Sequence, residues 1–254
     1  PGKTTPFQAG IEISNKGAKD IKGGFLVLSV EKDYLKISSW NVESKVTQIG
    51  AAGERMLFSI NGMTSVNPVA LTDLYTANLE ALPIDTQTTH HVSAITLTSC
   101  YDYETELSRD VCINTDVYNV NPNEKVCTVS DIDISGGQGA PVEVIKIEEK
   151  MMLAEGSAVP QFIIHVRNAA TGSVVDKAKI SEACSSSPLG YENYDLIDID
   201  EVKFSGYSSS IGSIECSPKR IKLKDGEGTA RCSLKQGLLN TINTISYTTP
   251  LYIK

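Results

Sequence analysis

One strand-and-turn unit occurs twice in this chain, and the repetition limits the possible folds more than any other feature. Ile11-Glu12-Ile13-Ser14-Asn15-Lys16-Gly17 returns in the second half as Ile164-His165-Val166-Arg167-Asn168-Ala169-Ala170-Thr171-Gly172. Each copy alternates apolar and polar residues, breaks at an Asn and reaches a Gly, which is how a strand ends in a tight turn. Two copies of one β-module follow. The 254 residues suffice for two domains that each bury a core.

The rest of the chain agrees with a β-rich reading. Alternating or β-branched runs predict strands over 7–15, 25–30, 35–40, 55–60, 92–103, 111–114, 142–148, 162–168, 202–204, 220–223, 229–234 and 244–253. Short strands at regular spacing point to antiparallel sandwiches rather than a parallel α/β sheet. Asn67-Pro68 followed by Leu71, Leu74, Tyr75, Leu79 and Leu82 also fits a capped helix. Comparison of the halves sets Tyr75–Leu79 opposite Arg231–Leu234, so a strand is favoured there. The segment 135–141, Ser-Gly-Gly-Gln-Gly-Ala-Pro, reads as a linker, giving a first domain over 1–134 and a second over 141–254.

Overlaying the halves exposes a mismatch at both ends. The second half has a strand, 142–148, before its copy of the repeated strand; the first half begins almost on its copy. The first half continues past Thr96–Tyr103 to a strand near Val111, whereas the second stops within the corresponding strand. The first module is thus expected to lack its opening strand and the second its closing strand. Unpaired sheet edges of this kind are covered by a neighbour or invite one.

Six cysteines, Cys100, Cys112, Cys127, Cys184, Cys216 and Cys232, never occur as Cys-x-x-Cys. They read as disulfide partners in an oxidising environment rather than zinc ligands. Cys216 with Cys232 is the favoured pair; Cys100–Cys112 and Cys112–Cys127 stand as equal alternatives. A net charge of -8 argues against nucleic-acid binding, because phosphate contacts need clustered Lys and Arg. The longest apolar run, Phe25-Leu26-Val27-Leu28-Ser29-Val30, is too short to span a bilayer. The chain opens Pro1-Gly2-Lys3 without an apolar signal region, as expected of a trimmed or partial chain. No Asn-x-Ser/Thr sequon occurs.

The motifs carry a resemblance. With its Ile11–Gly17 strand and turn, the chain resembles tandem immunoglobulin-like modules of the cell-adhesion-related (CARDB-like) kind in bacterial and archaeal surface proteins. Cys100-Tyr101-Asp102-Tyr103-Glu104-Thr105, Gly136-Gly137-Gln138-Gly139-Ala140-Pro141 and Tyr247-Thr248-Thr249-Pro250-Leu251 resemble segments of secreted proteins from small-genome archaea, of unassigned function. The resemblance implies fold and an extracellular or cell-surface location, and it brings no catalytic residue. Such proteins usually begin with an export or lipid-anchor signal.

Chemistry-bearing clusters are sparse. Of His90, His91 and His165, the last should face outward beside Ile163 and Arg167, and adjacent histidines on an extended chain are poor chelators because their rings diverge. No Gly-x-Ser-x-Gly elbow occurs, and Ser185-Ser186-Ser187-Pro188 reads as a loop. Asp195, Asp198, Asp200 and Glu201, with Glu192 nearby, form a weak calcium candidate without EF-hand spacing; a solvated acidic edge is the favoured reading. Trp40, Tyr101, Tyr103, Tyr191 and Tyr194 could offer sugar-stacking faces, although packing is the commoner use. The expectation is therefore a non-enzymatic extracellular structural protein without cofactor. It would polymerise with copies of itself into a filament or surface layer, by strand donation. The alternative is an anchored adhesion module that recognises a glycan or surface protein through its loops.

Overall fold

A computed structural model of the chain describes residues 2–41, 48–49, 54–85, 88–120, 125–154, 157–185, 189–204, 214–234 and 246–254. The fold is all-β, and among the described residues every strand pairs antiparallel and one α-helix occurs, the four-residue α1 (Ile180–Ala183). Contacts divide the chain into two compact units, Pro1–Tyr103 with Lys177–Tyr191, and Glu104–Asp176 with Glu192–Lys254.

The first unit contains β1 (Thr5–Asn15), β2 (Ile21–Val30), β3 (Leu35–Asn41), β4 (Gln48–Ile49), β5 (Arg55–Ile60), β6 (Leu71–Ala81) and β7 (Ile95–Cys100). One sheet runs β1-β6-β3 and the other β4-β5-β2-β7. Leu26, Leu28, Met56 and Phe58 from the second sheet pack against Ile37, Trp40, Tyr75, Ala77 and Leu79 from the first. The disputed segment is a strand. Tyr75, Ala77 and Leu79 alternate into the core, a period of two that a helix could not bury.

The second unit contains β8 (Leu107–Asn114), β9 (Ile132–Asp133), β10 (Val142–Ala154), β11 (Ser157–Asn168), β12 (Leu196–Asp198), β13 (Val202–Phe204), β14 (Ile214–Ser217), β15 (Arg220–Lys222), β16 (Glu227–Leu234) and β17 (Ser246–Ile253). Its sheets run β14-β16-β11-β10-β9, β13-β17-β8 and β12-β15. Phe162, Ile164, Ile147 and Ala230 meet Phe204, Leu251, Val111 and Ile113 in a second core, where the Phe162 and Phe204 rings lie edge to face at 6.0 Å.

The two units share a pairing pattern. β1 pairs β6 as β11 pairs β16; β3 pairs β6 as β14 pairs β16; β2 pairs β7 as β13 pairs β17. The repeated Asn closes the same turn in both copies. Asn15 accepts from the Gly17 N–H at 3.0 Å and donates to the Lys19 carbonyl at 2.8 Å. Asn168 accepts from the Ala170 N–H at 3.2 Å and donates to the Gly172 carbonyl at 2.8 Å. The side chain thus supplies the turn's hydrogen bonds.

The contact division differs from the expected boundary. It falls after Tyr103, and the Gly-rich segment 135–141 lies inside the second unit. There the segment forms a tight turn, with positive φ at Gly136, Gly137 and Gly139. Gln138 closes it, accepting from the Val144 N–H at 2.8 Å and donating to the Val144 carbonyl at 3.3 Å. Such punctuation marks a turn without saying whether the chain changes unit. The strand near Val111, assigned by sequence order to the first half, is β8, and it pairs with β17 from Leu107↔Ile253 to Asn114↔Ser246.

Candidate functional site

The two units differ at their borders, and the difference isolates one feature of the first unit. In the second unit β10 covers the outer edge of β11, and β8 covers the outer edge of β17. In the first unit the corresponding edges, of β1 and β7, have no strand beside them among the described residues. Correspondence with the second unit sets these two edges on one side of the sandwich. In the second unit the strands in the matching places adjoin, since Glu149 of β10 accepts from the Cys112 N–H of β8 at 3.1 Å.

The burial pattern follows. In β17, Leu251 and Ile253 are 0% and 5% exposed, whereas Ile95 and Leu97 of β7 are each 41% exposed. Phe7 on β1 is 36% exposed. β7 contributes no residue to the buried core of its unit among the described residues.

Backbone direction along β7 can be worked out from one hydrogen bond. The Leu28 N–H donates to the Glu54 carbonyl at 2.9 Å, on the β5 side of β2. In an antiparallel ladder a residue's N–H and C=O point the same way and successive residues alternate. Val27 and Ser29 therefore face β7, where they oppose Thr98 and Thr96. Leu97 and Ser99 consequently present their N–H and C=O groups outward. The strand Ile95-Thr96-Leu97-Thr98-Ser99-Cys100 carries no charge and no Pro, the residues that commonly guard an edge.

The edge of β8 in the second unit is guarded. Glu149 is 6% exposed, and both its oxygens accept from the Cys112 N–H, at 3.3 and 3.1 Å. Burial pushes its carboxyl up to about 7, against the opposing pull of hydrogen bonds from the Cys112 and Ser130 backbone. The Cys112–Cys127 disulfide ties the following loop to the same strand. The signal for Glu149 was present in the sequence: it lies two residues after Ile147, on the inward phase of the strand.

The six cysteines form three disulfides, Cys100–Cys184, Cys112–Cys127 and Cys216–Cys232, with S–S distances of 2.01, 2.03 and 2.07 Å. Cys216 and Cys232 oppose each other directly on β14 and β16, as favoured from sequence. Of the equal alternatives, Cys112–Cys127 holds and Cys100–Cys112 does not. Cys100 instead bonds Cys184, at the end of α1, in the segment Lys177–Tyr191 that joins the first unit. Sequence separation of 84 hid this partner. Three disulfides place the protein in an oxidising compartment.

The remaining candidates are engaged elsewhere. Asp198 makes a two-pronged contact with Arg220, at 2.7 and 3.0 Å, and Arg220 also reaches Asp176 at 2.8 Å. Glu201 holds Lys203 at 2.7 Å. Asp195 has positive φ, its N–H donating to the Val174 carbonyl at 2.7 Å, and the Asp200 N–H donates to the Lys254 carbonyl at 2.9 Å. Among the described residues no three His, Cys, Asp or Glu side chains are grouped to hold a metal ion.

His165 faces outward and meets Glu148 at 2.9 Å, while His91 stacks on Tyr34 and contacts Glu31 at 3.1 Å. His90 contacts Thr89 at 3.3 Å. Trp40 is core, Tyr101 and Tyr103 pack edge to face, and Tyr191 is exposed. Ser186, Ser187 and Pro188, and Thr244 and Ile245 of the last expected strand, lie outside the described residues. No described helix is long and apolar enough to cross a membrane. No family model, curated protein or solved structure matches the chain.

Proposed function

We propose that this chain is an extracellular structural protein of two immunoglobulin-like modules, a subunit that assembles into a filament or surface layer by adding strands to open sheets. The observation that carries the reading is the placement of β8. It follows β7 in sequence yet closes the second unit, leaving the side of the first unit between β1 and β7 without a covering strand among the described residues. Exposed Phe7, Ile95 and Leu97 on that side are what a subunit interface would bury. A contact of this kind is heterologous when the donor differs from the acceptor, so it propagates rather than stopping at a dimer. The disulfides suit an extracellular setting, and the resemblance to CARDB-like surface modules agrees with it.

Electron microscopy and sedimentation of the oxidised protein test this function. Ordered polymers that grow with concentration are expected. A monodisperse monomer at high concentration, with no assembly after prolonged incubation, contradicts it.

A further inference from the structure

We propose that the outer edge of β7 is an acceptor for one added strand. Its occupant is an extended segment patterned like β8, running antiparallel to β7 with apolar side chains on one face. The inference rests on the assembly reading above and names what the open side receives.

The chain contains the template. β17 stands to β13 as β7 stands to β2, and the outer edge of β17 is filled by β8 over eight residue pairs. β8 places Leu107, Val111 and Ile113 in the core, with Arg109 the exposed exception on that face. On β7, Leu97 and Ser99 point their backbone groups at an edge with no strand beside it among the described residues, and the side chains of Ile95 and Leu97 are each 41% exposed. A strand of β8 pattern meets both needs. Its backbone pairs the outward groups, and its alternate apolar residues lie beside Ile95 and Leu97. The β1 edge is a poorer acceptor, since it carries Pro6 and Glu12.

The molecule's own β8 is not available for the task. It is held by its ladder to β17, by Cys112–Cys127 and by the Glu149 contact to its backbone. The occupant therefore comes from outside this molecule's described strands.

A labelled peptide of residues 105–116 carrying Cys112→Ser, titrated by fluorescence anisotropy against the full oxidised chain, tests the proposal. Saturable binding is expected, and a scrambled peptide should not compete. Leu97→Pro removes one outward donor and should weaken binding about tenfold or more. Two further peptides, N-methylated at alternate amides in complementary sets, are tested on the unaltered chain, so the result survives a variant that fails to fold. One set should bind like the parent and the other about tenfold or more weaker.

Absence of saturable binding, equal binding of both methylated sets, or equal binding of the scrambled peptide overturns the proposal. A dimer that forms through β7 and disappears in Leu97→Pro, with the peptide ignored, also overturns it and assigns the edge to self-pairing. Peptide binding by a chain that never polymerises keeps the acceptor edge and sinks the assembly function. Polymers indifferent to the peptide and to Leu97→Pro do the reverse.

Discussion

Glu149 should make the second unit less stable as pH rises, a trend opposite to ordinary acid denaturation. An unfolded Glu titrates near 4.5, and burial raises this one to about 7 in the fold. The folded state therefore binds the proton more tightly than the unfolded state. The stabilisation is complete below pH 4.5 and is lost as pH rises through about 7. At about 1.4 kcal/mol per unit, the difference amounts to roughly 3 kcal/mol between pH 4 and pH 8. Glu149→Gln keeps an acceptor for the Cys112 N–H and removes the titration. Urea unfolding of the oxidised protein, followed by far-UV circular dichroism at several pH values, measures the effect. Groups such as Glu148, held below the usual carboxylate range by Lys150 and His165, act in the opposite direction but cancel between variant and parent. Trp40 lies in the first core, so its fluorescence follows the other unit and serves as an internal control. The variant should gain on the parent by up to about 3 kcal/mol at pH 8, with little difference at pH 4. Parallel pH profiles for the two proteins would refute the reasoning.

Removing Cys100–Cys184 by paired Ser substitution should cost about 4–5 kcal/mol on the chain-entropy account, because the bond closes a long loop. Trypsin should then cut faster at Lys177 and Lys179, just before α1, which limited proteolysis with mass spectrometry would record. Asn15→Ala should cost about 1–3 kcal/mol and Asn168→Ala about 1 or less, since Asn15 is buried and Asn168 lies nearer solvent. Equal losses by thermal melting would contradict the burial argument. Leu97→Lys should leave the isolated chain within about 0.5 kcal/mol of the parent yet abolish polymers in sedimentation, because a charge on an exposed edge blocks strand addition.

Local pattern carried most of the fold. Alternation placed strands at β2, β5, β11, β13 and β16, and correspondence between the halves decided β6 in favour of a strand. The two-residue strands β4 and β9 had too few residues to show a period. Affiliation of β8 was not legible, because a strand six residues after β7 looks locally like the second arm of a hairpin. Its real partner, β17, lies at the far end of the sequence, and only tertiary packing selects it. The same misreading raised Cys100–Cys112 as an alternative across that imagined hairpin. The excursion of Lys177–Tyr191 into the first unit is likewise tertiary. In the structure β8 pairs with β17 in the second unit, and among the described residues no strand lies beside the outer edges of β1 and β7.

Hydrogen exchange along β7, read residue by residue, probes the open edge most directly. In the isolated oxidised chain the Leu97 and Ser99 amides should exchange fast, while Thr96 and Thr98, bonded back to β2, should be protected. In assembled material Leu97 and Ser99 should become as slow as their neighbours. Protection of Leu97 and Ser99 already in the isolated chain, or their continued fast exchange within polymers, would contradict the account.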